Sequence, residues 1–347
     1  MSGDVLERVR GLWEAEPGWL NTASYGVPPR TAVEAVTAAI GQWSHGSVDW
    51  SVWDMYTDRA RAGFAELVGV PAEDVCVGAT VSQLLSLVAT ALPEGARVVI
   101  PRMEFTSNVF PWAVAADVRE VPLGRLAEAA GEADVVAFSL VQSASGEIAP
   151  VDEVVEAARR SGALVVVDAT QACGWLPVRA ERFDAVVCTA YKWLMAPRGA
   201  AYGYLSPRLR ERMRPIAANW YAGADRAGSY YGMPLRLRED AGAFDLSPAW
   251  FSQVGAAVSL ELLNEVGVER VRAHNVALAD RFLAGLGLPP AGSAIVSVEV
   301  TREAWERLRR AGVRAAMRDG RLRASFHLYT SERDVDMAVE ALTGRAG

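Results

Sequence analysis

The segment ALVVVDATQACGWLPVRAERFDAVVCTAYKWLMAPRG, Ala163 to Gly199, decides how the chain folds. It holds two short apolar runs rich in β-branched residues, ALVVV (Ala163–Val167) and AVVCTA (Ala185–Ala190). Such runs suit strands of a parallel sheet covered on both faces. The first ends in Asp168 and the second in Tyr191-Lys192. In open α/β sheets the ligand crevice lies beyond the carboxyl ends of the strands, so Asp168, Gln171 and Lys192 are expected to face one cleft. An ion pair at a strand end is the ordinary alternative for one acid and one lysine.

The spacing argues for more than an ion pair. Asp168-Ala169-Thr170-Gln171, then a Gly-Trp-Leu-Pro turn, then Lys192 directly after the next strand, resembles the cofactor segment of the class V aminotransferase and cysteine desulfurase family. Those are fold type I enzymes that use pyridoxal phosphate. The resemblance implies an α/β fold: a large domain with a mostly parallel sheet of the seven-stranded type, and a small C-terminal α+β domain. It also implies roles. The Lys192 amine would form a Schiff base with the cofactor aldehyde, Asp168 would keep the ring nitrogen protonated as an electron sink, and Gln171 would hydrogen-bond the phenolic oxygen.

Composition narrows the field independently. At 347 residues the chain suits two domains, and 51% hydrophobic with 22% charged residues excludes disorder. A net charge of −7 gives no nucleic-acid footprint. The opening MSGDVLERVR reads as neither a secretory signal nor a transit peptide, and LLSLVATAL (Leu84–Leu92) is too short to cross a bilayer, so a cytoplasmic protein without membrane or nucleic-acid partners is expected. Three isolated cysteines and three scattered histidines argue against disulfides and metal sites.

Other motifs carry further expectations. Gly78-Ala79-Thr80 closes the strand DVCVG and opens the helix VSQLLSLVATAL, and a helix N-terminus with a hydroxyl beside it binds phosphate. This resembles the family's phosphate cup, with Ala79 and Thr80 as contacts. By the same likeness Phe105 replaces a ring-stacking residue that is often histidine, Ser143 replaces an asparagine on the ring oxygen, and Thr189 keeps a phosphate-binding hydroxyl. Ser247 stands where a threonine reaches the neighbouring subunit's phosphate, which implies a homodimer with shared active sites. Asn21 corresponds to an asparagine near the substrate carboxylate. Arg323-Ala324-Ser325-Phe326-His327-Leu328-Tyr329-Thr330 is close to the family's Arg-x-Ser-x-x-x-Tyr-Asn signature, and arginine suits a bidentate grip on a carboxylate.

Domain boundaries are expected at 1–20 for an N-terminal segment packing on the small domain, 21–267 for the cofactor domain and 268–347 for the small domain. Elements expected along the way include a helix from about Asp58 to Val68, a strand from Leu322 to Tyr329, and a loop between Met213 and Pro248 that covers the cleft or a partner subunit. The reading that follows is an enzyme acting on an amino acid, with an aminotransferase ahead of a C–S or other lyase and an epimerase. A silent scaffold is the non-enzyme alternative. The interval Gly292–Arg323 lacks the loop cysteine that desulfurases use, so no enzyme-bound persulfide is expected.

Overall fold

The computed structural model describes residues 5–344, so the ends of the expected N-terminal and C-terminal segments, 1–4 and 345–347, lie outside the described residues. The large sheet comprises β1 (Val75–Gly78), β2 (Arg97–Pro101), β3 (Asp117–Val121), β4 (Val135–Ser139), β5 (Leu164–Asp168), β6 (Ala185–Thr189) and β7 (Ala201–Leu205). Its order is β1-β7-β6-β5-β4-β2-β3, and β7 alone runs against its neighbours. It is the mostly parallel seven-stranded sheet of fold type I.

Alternation explains why the two diagnostic runs became central strands. Val165 and Val167 of β5 pack into one core with Val186 and Cys188 of β6, while Leu164, Val166, Ala185 and Val187 pack into another on the opposite face. Side chains of a strand point alternately to either side, so only an uninterrupted apolar run serves both cores. Burying each valine contributes about 1.5–3 kcal/mol. The first core is closed by the helices Ser51–Val68 and Trp250–Val266, the second by the helix Val81–Val88.

A buried ion pair locks one flank of the large sheet. Arg61 donates through Nη2 to Asp245 Oδ2 at 2.6 Å and through Nη1 to the Val75 carbonyl at 2.6 Å. Asp245 also accepts from the backbone N–H of Val77 at 2.8 Å. Burial works against the charge on Arg61, but Asp245 outweighs it and holds the guanidinium above its ordinary value.

The second layer is built on a smaller sheet, β8 (Ile295–Val298), β9 (Ala316–Arg318) and β10 (Arg321–Ser325), ordered β8-β10-β9 and antiparallel throughout. It shares a core with the helices Val268–Gly285, Arg302–Arg310 and Glu332–Thr343. Of the N-terminal segment, Val9 belongs to a core of the large sheet and Leu20 to that of the small one. A strap, Gly18 to Gly26, then joins the layers. Its Leu20 exchanges backbone bonds with Arg314 and Ser325 at 2.9 Å, and its Gly26 N–H reaches the Tyr191 carbonyl at 3.0 Å.

Two local expectations shift. The helix expected from Asp58 begins about two turns earlier, at Ser51, because Trp53, Asp54 and Thr57 already form its buried face. The strand expected to run to Tyr329 stops at Ser325, where the Phe326 N–H turns to Ala294 and His327 closes a turn on Thr330. The stretch 213–248, expected to cover the cleft or a partner subunit, is a run of loops and short 3-10 turns, and none of its residues line the cleft. No helix among the described residues is long and apolar enough to cross a membrane.

Candidate active site

Because β1, β2, β4, β5 and β6 all run the same way, Gly78, Pro101, Ser139, Asp168 and Thr189 end along one edge of the sheet. The loops that follow enclose a cleft lined by Ala79, Thr80, Phe105, Ser143, Asp168, Gln171, Thr189 and Lys192. These are eight of the positions singled out in the sequence. Asn21 and Arg323 lie behind its wall, and Ser247 is an exposed residue outside it.

Asp168 and Lys192 do not pair: among the described residues no ion pair within 4 Å joins them. Asp168 is 5% exposed, and its Oδ1 accepts from the Thr170 N–H at 2.8 Å. Burial pushes its carboxyl up, while Thr170 and the charge of Lys192 pull it back. Lys192 is 7% exposed, with Nζ 5.3 Å from the centre of the Phe105 ring. Burial pushes the amine down to about 8; Asp168 opposes, and the charges of Arg323 and Arg318 add to the fall. The lysine backbone is held without slack, since a Cβ on Gly26 would come within 2.0 Å of the Lys192 carbonyl oxygen.

At one end of the cleft, Thr80 caps the helix Val81–Val88, its hydroxyl accepting from Gln83 N–H at 3.2 Å. A Cβ at Gly78 would lie 2.4 Å from Gln83 Oε1 and 2.8 Å from Leu84 Cδ2, so those side chains would have to shift to admit one. Ser82, Thr189 and Arg198 line the cleft as well, and the Arg198 guanidinium lies 5.0 Å from the Tyr191 ring centre. Helix dipole, hydroxyls and a guanidinium together suit an anion.

At the opposite end a polar relay runs from the cleft into the wall. Gln171 Nε2 donates to the Ala23 carbonyl at 3.0 Å and to Ser143 Oγ at 3.2 Å, and Gln171 Oε1 accepts from the Trp193 indole at 2.8 Å. Both amide hydrogens are thus engaged within the protein. Ser143 Oγ also accepts from Arg323 Nη1 at 3.2 Å, so its lone pairs are occupied and its own hydrogen is left to donate into the cleft. Arg323 is 1% exposed; it donates to the Ser143 carbonyl at 2.7 Å and to Ser24 Oγ at 2.9 Å, and its Nε has no partner. Asn21 supports it at one remove, Oδ1 accepting from Ser24 Oγ at 2.8 Å. Burial, then the charge of Arg318, pushes Arg323 down to about 10.

Sequence reasoning missed Ser82, Ser107, Ser139, Thr170, Tyr191 and Arg198 in the lining, and Glu104 behind it. Glu104 is buried and accepts from Ser139 N–H at 2.7 Å, Gln142 Nε2 at 3.2 Å and Phe105 N–H at 2.8 Å. It anchors the turn that presents Phe105. No periodicity marks these residues, though Pro-Arg-Gly after the lysine was a usable sign for Arg198. Among the described residues no group of three or more His, Cys, Asp or Glu could hold a metal ion.

The donors present fit pyridoxal phosphate: an unpaired buried amine, an unpaired buried carboxylate, an aromatic ring beside the amine and an anion cradle at a helix end. Fold and site together define a fold type I enzyme of the pyridoxal phosphate class. The aminotransferase class-V family model matches residues 51–304, and the chain belongs to that family. Isopenicillin N epimerase of Streptomyces clavuligerus is 28% identical over 98% of this chain and 98% of its own. The uncharacterized aminotransferase YcbU of Bacillus subtilis (strain 168) is 25% identical over 83% of this chain and 84% of its own. Among solved structures, the apo cysteine desulfurase of Thermococcus onnurineus NA1 has a TM-score of 0.83 at 21% identity, covering 98% of both chains. The cofactor is pyridoxal phosphate.

Proposed function

We propose that this enzyme transaminates an α-amino acid, with Arg323 receiving the α-carboxylate and Lys192 carrying the proton at Cα. The observation that carries the reading is Arg323: a guanidinium 1% exposed, with an unpartnered Nε and no carboxylate within 4 Å among the described residues. A buried cation of that kind is costly unless an anion completes it. When bound, the cofactor accepts electrons from a bond at Cα. Lys192 would attach it, Asp168 would face its ring nitrogen, the Ser143 hydroxyl would donate to its phenolic oxygen, and Ala79, Thr80, Thr189 and Arg198 would hold its phosphate.

Two features favour transamination. The Lys192 amine, near 8, can hold and release a proton at neutral pH, and one lysine on one face suffices to move it. Phe105, beside that amine, cannot act as a second base. Cys76, Cys173 and Cys188 are all buried, and burial pushes the Cys76 thiol up to about 12, which speaks against a nucleophilic cysteine. Epimerisation is kept as the second reading, on the full-length likeness to isopenicillin N epimerase. A homodimer sharing its sites, with Ser247 facing the partner, is part of the same proposal.

The test is to incubate the holoenzyme in D₂O with a panel of amino acids and a keto acid acceptor. Keto acid from the donor together with a new amino acid from the acceptor is expected. Ammonia release would redirect the assignment to a lyase, and deuterium at Cα with inversion but no keto acid to an epimerase. Silence towards every amino acid would leave a scaffold.

A further inference from the structure

Beside the cleft lies a second cavity of about 440 Å³. The two share a wall: Ser143 faces the cleft, while Gln142, Ala144 and Ser145 face the second cavity. Its far side is the small sheet. In the register of that sheet Arg318 lies opposite Arg321, and Arg323 lies opposite both Ala316 and Ser297. Directly paired residues, and residues two apart, share a face, so Arg318, Arg321 and Arg323 all stand on one side.

Like charges directly opposite each other destabilise a hairpin. Arg321 is compensated, its Nη1 meeting Glu299 at 2.5 Å. Arg318 is not: it donates only to the Met317 carbonyl at 2.7 Å, and no carboxylate comes within 4 Å of it or of Arg102, on the facing loop after β2, among the described residues. Glu147 and Asp319 also line the cavity but pair with neither arginine. The charge of Arg318 also reaches the buried Arg323, adding to the fall that burial causes there. Met103 and Leu123 supply an apolar part of the cavity wall.

We propose that this cavity receives the distal end of the substrate's side chain, and that the substrate is an amino acid carrying a second carboxylate there, gripped by Arg318 with Arg102. The inference rests on the amino acid reading of the cleft. Arg323 would take the α-carboxylate, methylenes would lie along Met103 and Leu123, and a guanidinium would take the distal carboxylate in bidentate fashion.

The experiment titrates the holoenzyme with L-2-aminoadipate, L-norleucine and L-lysine, whose chains are similar in length but end in carboxylate, methyl and ammonium, and follows the visible absorption of the cofactor. Wild type should bind aminoadipate at least about tenfold tighter than norleucine, the scale of one charged hydrogen-bonded contact. In Arg318→Gln that ratio should fall at least several-fold towards one, and in Arg318→Glu lysine should overtake aminoadipate. Arg318 is an exposed residue next to a hairpin turn, so both variants should fold. A wild-type ratio near one, or a preference that survives both substitutions, overturns the distal-carboxylate proposal while the amino acid reading stands. No spectral response to any of the three in any form overturns both.

Discussion

Two buried arginines in this protein have opposite surroundings. Arg61 meets Asp245 face to face, and its carboxylate partner overrides the cost of burial. Arg323 is equally shut off from solvent, at 1% exposed, yet has serine and carbonyl oxygens around it, an idle Nε, and a second cation, Arg318, acting on it in place of a carboxylate. The same side chain is thus closed in one place and open in the other. A charge that is buried and completed holds the fold together; one that is buried and incomplete stores a demand that only a ligand can satisfy. Asp168 and Lys192 belong with Arg323, since each is buried and neither is paired.

The comparison can be broken first at Arg61. Arg61→Ala leaves Asp245 sealed in the core without a cation, and about 3–5 kcal/mol of unfolding free energy should vanish. Urea denaturation reads it, and a loss below 1 kcal/mol would remove the closed half of the contrast. Next in size is Asp168→Asn. Turnover should drop roughly 10²–10³-fold, the worth of one preorganised electrostatic contact, while the urea midpoint hardly moves. Activity near wild type would make Asp168 a structural group after all.

Arg323→Ala should behave as the inverse of Arg61→Ala. Removing an uncompensated cation should leave stability unchanged or raised, while binding of a carboxylate-bearing amino acid weakens by at least about 2 kcal/mol. The corresponding amine without a carboxylate should lose far less, and an equal loss for both would assign Arg323 to the fold. The smallest effect concerns pH. Because burial depresses the Lys192 amine from 10.5 to about 8, its neutral, reactive fraction grows as pH rises through 8. Covalent uptake of pyridoxal phosphate by the apoprotein, fixed with borohydride, should therefore accelerate with a midpoint near pH 8. A midpoint above pH 10 would mean that the lysine is wetter than the structure has it.

How much of this could be read in the chain depended on periodicity. ALVVV and AVVCTA are apolar at every position, so their place in the middle of a doubly covered sheet was legible, and the ends of those strands carried Asp168 and Lys192 into the cleft. The start of the helix Ser51–Val68 was hidden because Trp43, Trp50 and Trp53 crowd together in the sequence, and such crowding speaks for core packing without marking a helix boundary. The hairpin of β9 and β10 was missed although Asp319-Gly320, both at positive φ, is a strong two-residue turn signal. The relay from Gln171 through Ser143 to Arg323 joins residues as far as 180 positions apart in the chain, and nothing local in the sequence encodes it.

The strap from Gly18 to Gly26 gives these parts a common mechanics. It is sewn to the edge of the small sheet through Leu20 and to the lysine turn through Gly26, where there is no room for even a methyl group. A rocking motion of the small layer would therefore be transmitted as tension along about nine residues, pulling on the very peptide that carries Lys192. Displacements at the Arg323 end and at the amine would then be coupled: whatever pushed the small sheet aside would also change where the lysine aims.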